Sequence, residues 1–292
     1  MRLKLGLTKY FWWSIAPLIT GSVLVALPSF AATLASSGGK LTITNINQNP
    51  QNISTFSDTN TSAVSQNGLA EANANANADF TVDSSSSAAL NSDSTTFGVG
   101  QEYQGNANSI SQVLGNFFVA ANQDFTLDFT ADIELGTSID NPQFESANAS
   151  GSLALLAIDS TTQAIYDSFN IFGNLNTQGD GDSLEYQSSK NITLTSNSTA
   201  TIFGGTQESA KASVKGSLQN HFDSPTNLTL VAVTTNQASV KTPESSNSLA
   251  LLGFCGALGL WYGVKGKRFG ARQKLTQPSS MTPSKTEAIS QL

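Results

Sequence analysis

Residues 125–135 read FTLDFTADIEL, and apolar and polar side chains alternate along this stretch without a break. Its apolar positions are Phe125, Leu127, Phe129, Ala131, Ile133 and Leu135. Successive side chains of a β-strand point to opposite faces of the sheet, so this period of two predicts a strand with one buried face and one wet face. The stretch is therefore typical of an antiparallel sheet.

Shorter stretches on the carboxyl side of this strand continue the same pattern. SLALLAI (152–158) and AIYDSFNIF (164–172) flank the polar DSTTQ, which predicts a hairpin whose nearly continuous apolar first strand lies in the interior. NITLT (191–195) and TATIF (199–203) flank Ser-Asn-Ser, which predicts a second hairpin. Two further strands are predicted at ASVKGSL (212–218) and NLTLVAVTT (227–235).

Short strand patterns and polar turns extend from residue 41 to residue 240, and no helical period interrupts them. Many short strands with turn signals between them are typical of sandwich folds. We therefore expect a mainly β protein, with an antiparallel β-sandwich or jelly-roll-like ectodomain over residues 32–241.

The stretch EANANANADFTVD (71–83) alternates small apolar and polar residues. One interpretation is a strand with a shallow alanine face, and the other is a low-complexity polar segment. On composition, we expect residues 32–77 to be partly of low complexity.

The charged residues are unevenly distributed. Residues 32–241 contain five lysines, no arginine and nineteen acidic residues, whereas the two ends of the chain are basic. Nucleic-acid phosphates require a positive surface, so this body is not expected to bind nucleic acid.

The sequence offers few residues for catalysis or metal binding. Cys255 is the one cysteine and His221 the one histidine, and we expect His221 to lie in a turn. A zinc site or a nucleophile with its base would need more such residues at suitable spacing. We therefore predict no catalytic residue, no cofactor and no enzyme activity.

NLNTQGDGDSLE (174–185) is the one constellation with a partial metal-site pattern. Calcium loops place oxygen ligands at alternate positions, a glycine at the sixth and a glutamate at the twelfth. The candidate ligands here are Asn174, Asn176, Asp180, Asp182 and Glu185. An acidic turn without bound metal is the alternative interpretation.

The amino-terminal residues 1–31 have the three parts of a secretory signal peptide. A basic start precedes a long apolar stretch, and Ser29-Phe30-Ala31 forms a small-residue end. We predict cleavage between Ala31 and Ala32, with an uncleaved membrane anchor as the alternative. In either case the body is expected to be exported.

Residues 249–264 are apolar and uncharged, and they predict one transmembrane helix. A helix of this length spans about 24 Å, slightly less than the ~30 Å hydrocarbon core of a bilayer. Lys265, Lys267 and Arg268 follow at once, and basic residues beside a span are retained in the cytoplasm. The body is thus expected outside, and residues 269–292 are expected to form a polar, disordered cytoplasmic tail.

Residues 242–268 resemble the PEP-CTERM sorting signal of exported bacterial proteins, in which a Pro-Glu-Pro motif precedes an apolar helix and a basic cluster. Pro243 and Glu244 match the first two motif positions, and Ser245 occupies the third. The resemblance implies recognition by an exosortase-type sorting enzyme, which would cut near the motif and direct the protein to the cell surface.

The resulting hypothesis is a non-enzymatic surface or extracellular-matrix protein, membrane-anchored at least transiently and associated with exopolysaccharide or biofilm. One alternative is a carbohydrate-binding β-sandwich module held by a single span, for which Tyr103, Tyr166 and Tyr186 are the stacking aromatics of the body. A secreted hydrolase is the other alternative, and it would require acidic residues paired in a cleft.

Overall fold

The computed structural model describes residues 31–83, 85–177 and 179–242, which belong to one compact unit. The strands within these residues are β1 (Ala31–Ile46), β2 (Asn52–Thr81), β3 (Ser86–Val119), β4 (Gln123–Ile139), β5 (Ser146–Asp159), β6 (Ile165–Thr177), β7 (Ser183–Ser188), β8 (Ile192–Ile202), β9 (Gln207–Phe222) and β10 (Thr226–Lys241).

These ten strands form a single all-antiparallel sheet that is nearly closed and barrel-like. Its order is β7-β6-β5-β10-β3-β1-β4-β9-β8, and β2 is added along β3. Across the interior, β1 lies against β10 and β5, and β4 lies against β5 and β6. At the two ends of the strand order, the Asn197 amide donates a 2.8 Å hydrogen bond to the Tyr186 hydroxyl. The expectation of a mainly β, antiparallel protein is confirmed.

A bend in β3 allows one strand to serve two walls of the sheet. Side chains at even positions are buried up to Gly100, whereas from Tyr103 onward those at odd positions are buried. Gly100 and Glu102 both have left-handed φ values, of 101° and 55°. This irregularity changes the side-chain alternation by one residue, and the same face of β3 therefore stays inward before and after the bend.

The apolar core follows directly from the alternation in β4. All six apolar side chains of residues 125–135 are at most 3% exposed. Phe125 packs edge-on against Phe117 of β3 at a ring distance of 5.1 Å, and Phe129 packs against Phe169 of β6 at 4.6 Å. These contacts join β4 to the opposite wall.

A polar layer replaces the apolar core where β1 and β10 approach each other. Asn236 of β10 is 4% exposed, and its side-chain oxygen accepts a 2.6 Å hydrogen bond from the Ser37 hydroxyl. The Asn236 amide donates to the Ser92 carbonyl at 2.9 Å. Only a small residue fits beside this network, because a Cβ added at Gly151 would lie 2.6 Å from the Asn236 oxygen.

Two strand predictions are wrong in part, and the structure distinguishes between the two interpretations of residues 71–83. Residues 191–203 do not form a hairpin, because β8 continues through Ser-Asn-Ser and pairs with β9, with one irregularity after Leu194. In residues 152–158, only alternate side chains are fully buried, since the other face of β5 lies at the outer surface. Residues 71–81 form part of strand β2, with half-buried alanines, so the strand interpretation holds there.

Candidate functional site

A groove lies on the outer face of the sheet, across β8, β9, β4, β1 and β3. Its volume is about 720 Å³, and it is open to solvent along one side. The charged side chains that line it are Lys40, Asp93, Asp132, Glu134 and Lys211. We call this feature the outer groove.

Strand alternation places these side chains in the outer groove. Asp132 and Glu134 occupy the polar positions of the stretch that defines β4, opposite its buried apolar positions. Lys40 is the outward residue of β1 that pairs with Asp132. Gly38 forms part of the floor of the groove. A Cβ added there would lie 2.8 Å from Asp93 Oδ1, so the Asp93 carboxylate lies close to the glycine backbone.

The charges of the outer groove are partly neutralised by one another. Lys211 Nζ lies 2.5 Å from Glu134 Oε1, and these side chains are 56% and 66% exposed. Asp93 accepts a 2.6 Å hydrogen bond from the Asn91 amide. Because exposed ion pairs contribute little to stability, this pair is not expected to stabilise the fold much.

A second, smaller groove of about 380 Å³ crosses β2, β3, β10 and β5. Apart from Ile110 and Gly151, it is lined by amides, hydroxyls and a single carboxylate, that of Asp58. Ser152 and Thr235 share a 2.7 Å hydrogen bond in its wall. Neither groove is lined by an aromatic side chain among the described residues.

The three tyrosines considered for sugar stacking have different environments. Tyr103 is 2% exposed and is therefore closed to a ligand. Tyr166 is 36% exposed, but it packs edge-on against Phe222 and donates a 2.7 Å hydrogen bond to Asp159. Tyr186 is half-buried beside Asn197. The structure thus does not bring these tyrosines together on an exposed face.

The Tyr103 hydroxyl instead belongs to a buried network. It donates a 3.0 Å hydrogen bond to Glu145 Oε1 and also bonds the Thr33 hydroxyl. Glu145 Oε2 accepts the backbone N–H groups of Asp140 and Asn141 at 2.8 and 2.7 Å. Burial of the phenol is the main cause that raises the pKa of Tyr103 above its ordinary value, and the neighbouring Glu145 raises it further.

Two other carboxylates are buried and are likewise held by neutral donors. Asp167 accepts hydrogen bonds from the Ser189 hydroxyl and the Asn191 amide at 2.8 and 3.2 Å. Glu208 accepts the Thr177 hydroxyl at 2.7 Å and the Gly204 N–H at 2.9 Å. With these contacts Asp167 anchors the β7–β8 connection and Glu208 the β8–β9 connection.

The sequence contained a signal for two of these buried acids that the strand predictions did not use. Asp167 falls on the inward face of β6, in phase with the buried Phe169 and Ile171 at alternate positions. Glu208 falls on the inward face of β9, two residues before Ala210. An acid in phase with the apolar side of a strand predicts a buried carboxylate that needs hydrogen-bond donors.

The calcium candidates lie on the β6–β7 hairpin. Asn174 and Asn176 are on β6, Glu185 is on β7, and the connection carries Asp180 and Asp182. One carboxylate oxygen of Asp182 accepts the Asn176 N–H at 2.8 Å, and the Asn174 amide donates to the Gly181 carbonyl at 3.3 Å. Among the described residues, no three His, Cys, Asp or Glu side chains cluster as a metal site would require. Calcium binding here stays a prediction.

His221 lies near the end of β9 and not in a turn, because β9 continues through Phe222 and pairs His221 with Asp124. The His221 Nδ1 atom is 2.6 Å from Asp124 Oδ1. Hydrogen bonds from His221 and Gln219 lower the pKa of Asp124 below its ordinary value. This side-chain contact links β4 and β9 at the surface.

Most of the predicted sorting residues lie outside the described residues. These are residues 1–30, the motif Pro243, Glu244 and Ser245, the predicted span 249–264, the basic residues Lys265, Lys267 and Arg268, and the tail 269–292. Ala31 and Ala32, which flank the predicted cleavage point, begin β1, and the Ala32 N–H donates to Asp140 Oδ2 at 3.1 Å. Within residues 31–83, 85–177 and 179–242, no helix has the length and hydropathy to cross a membrane.

Comparisons of the chain with family models, with curated proteins and with solved structures found no match.

Proposed function

We propose that this chain is a non-enzymatic, exported surface or extracellular-matrix protein that a PEP-CTERM/exosortase-like signal sorts. In this proposal the described sheet is a β-sandwich or jelly-roll-like ectodomain. Residues 1–31 direct export, residues 249–264 hold the chain in the membrane at least transiently, and the body associates with exopolysaccharide or biofilm.

The observation that carries the proposal is where the chain enters and leaves the sheet. Ala31, at the start of β1, pairs with Gly100. Lys241, at the end of β10, pairs with Gln104. Both positions flank the bend in β3, so β1 begins and β10 ends at the same end of the described sheet. In this proposal the body is held at the membrane from that end.

The outer groove supports the association with a polar polymer. Sugar hydroxyls are recognised through hydrogen bonds to carboxylates, ammonium groups and hydroxyls, and the outer groove presents these groups on an open surface. The buried acids Glu145, Asp167 and Glu208 each have their own neutral donors, which favours a structural role for them over catalysis. A carbohydrate-binding module on a single span is the second candidate, and it would use the same groove without aromatic stacking.

The test follows the mature forms of the full chain. An epitope inserted in the exposed turn 160–163 allows the body to be detected after removal of either end. We expect a form that begins at Ala32 and ends near Pro243 in the surface or matrix fraction, identified by intact mass. Glu244→Ala should leave a longer, membrane-bound form, whereas Ser245→Pro should increase processing because it completes the family's motif.

Glu287→Ala, in the predicted tail, is the matched control and should not change processing. A mature form that keeps residues 243–292 in wild type and in Ser245→Pro would contradict sorting by cleavage. A chain that remains in the cytosol with residues 1–31 attached would contradict export altogether.

A further inference from the structure

The outer edge of β2 is the one long strand edge of the sheet that has no neighbour among the described residues. Every residue of β2 except Gln66 pairs with β3 on one side, from Asn52 opposite Asn116 to Thr81 opposite Ser87. The other two terminal strands, β7 and β8, are shorter, at six and eleven residues, and one hydrogen bond from Asn197 to Tyr186 joins them. An unpaired edge presents a row of backbone N–H and C=O groups that another strand can use.

This edge carries the acids Asp58, Glu71 and Asp79, but it lacks several other features that prevent strands from pairing between molecules. Proteins protect open edges with lysine, proline, short strands or covering segments. Residues 52–81 contain no Lys, Arg or Pro. Several apolar side chains on and next to β2 are about half exposed, namely Phe56, Val64, Leu69 and Val82. The edge is therefore available for strand addition.

The segment EANANANADFT (71–81) is close to a palindrome, so it can pair antiparallel with a second copy of itself. In a two-fold arrangement each residue meets a residue of the same parity, so the polar odd-numbered residues face one another, and Ala faces Ala or Phe. The half-buried alanines of both copies then lie on the inner face of one continuous sheet. About ten backbone hydrogen bonds would form along such a pair of strands.

Among the two-fold axes nearest the centre of this segment, at Ala74, Asn75 and Ala76, the charges favour the last. A two-fold axis at Asn75 places Glu71 opposite Asp79 of the second copy, which sets like charges against each other at both ends. An axis at Ala74 places the exposed Leu69 opposite Asp79. An axis at Ala76 avoids both problems, because Asp79 then faces Asn73 and Glu71 faces Thr81. In that register the Phe80 ring also faces the small Ala72.

We propose that two copies of this chain associate through antiparallel pairing of β2, with the two-fold axis at Ala76. The interface is isologous and closes at the dimer, since each copy has one such segment. It leaves the outer groove accessible, because that groove is lined by β8, β9, β4, β1 and β3 and not by β2. The proposal is independent of how the chain is sorted.

The test is a cysteine scan of the full chain in intact cells, with Cys255→Ser in every variant. In the proposed register, Ala76 lies opposite itself with a Cα separation of about 4.5–5.5 Å. That separation is within the range of about 4.4–6.8 Å that a disulfide requires. Ala76→Cys should therefore give a covalent dimer on a non-reducing gel after mild oxidation.

Ala74→Cys and Ala78→Cys are matched controls, because all three positions are half-buried alanines on the same face. In the proposed register each of them is about 14 Å from its own copy, at ~3.4 Å per residue. Each alone should give roughly tenfold less dimer than Ala76→Cys, because a separation beyond ~7 Å prevents the disulfide. Co-expressed with different tags, they should cross-link to each other, since Ala74 faces Ala78.

Thr199→Cys, on the exposed part of β8, measures random collision. Equal cross-linking at Ala76→Cys and Thr199→Cys would overturn the dimer. Stronger self-cross-linking at Ala74→Cys or Asn75→Cys than at Ala76→Cys would overturn the proposed register. A monomeric wild type in sedimentation of the detergent-extracted chain, at every concentration tested, would also overturn the proposal.

Discussion

Tyr103 shows how a single side chain holds the bend of β3 in place. Its ring occupies the space above Gly98, where an added Cβ would lie 2.1 Å from the ring. Its hydroxyl connects Thr33 of β1 to Glu145, which precedes β5. The residue thus joins three parts of the chain at the end where β1 begins and β10 ends.

Tyr103→Phe is expected to destabilise the fold by about 1–3 kcal/mol, because the buried Glu145 carboxylate loses a donor. Urea unfolding measures this, with Tyr166→Phe as the control. The Tyr166 hydroxyl is bonded at the surface, so that variant should stay within ~0.5 kcal/mol of wild type. Equal effects of the two variants would contradict the structural role of the Tyr103 hydroxyl.

The raised pKa of Tyr103 adds a pH dependence with a defined sign. In the unfolded chain the phenol loses its proton near pH 10, whereas the folded protein keeps it to higher pH. The unfolded state therefore binds fewer protons above about pH 10, and stability falls as pH rises through this range. Unfolding of Tyr103→Phe should show a smaller loss of stability over the same range.

At the scale of the strand, the predictions succeeded where alternation was strong and the strand had two neighbours. The stretch 125–135 has large apolar residues at every second position, and they can be buried in one way only. The β8 prediction failed because Ser-Asn-Ser favours a turn locally, whereas the ladder to β9 supplies partners that a single sequence does not show. The outer groove was equally hidden, since it is assembled from five strands that are distant in the chain.

The polar layer between β1 and β10 makes a prediction at this scale. Asn236→Ala removes the partner of the Ser37 and Ser92 groups, and leaving buried polar groups unpaired costs about 1–3 kcal/mol. Gln237→Ala is the control, because the neighbouring side chain points to solvent and its loss should change stability by at most ~0.5 kcal/mol. Urea unfolding curves with equal midpoints for the two variants would show that the layer contributes nothing.

At the scale of the whole molecule, the bend in β3 determines how the two walls of the described sheet are arranged. It turns one long strand into parts of two facing walls and brings β1 and β10 to the same side of β3. It also places the ends of the described sheet near each other, although they are separated by about two hundred residues of chain. The sequence did not show this, because the bend depends on the conformations of Gly100 and Glu102 and on a register shift.

The proximity of the two ends can be tested with a circular permutant of residues 32–241. The pairing partners Gly100 and Gln104 are four residues apart, or about 13 Å along β3. A linker of about eight Gly and Ser residues, which reaches up to ~26 Å, should therefore join residue 241 to residue 32 without strain. New ends placed in the exposed turn 160–163 interrupt no strand, and chains tolerate such openings. We expect the permutant to keep its β-sheet circular dichroism and to unfold cooperatively in urea.

A second permutant opened between Asp132 and Ile133 would break the central strand β4 and should not fold. If the first permutant also fails to fold, residues 32 and 241 do not lie close enough to be joined, and the described proximity of the two ends of the sheet is contradicted.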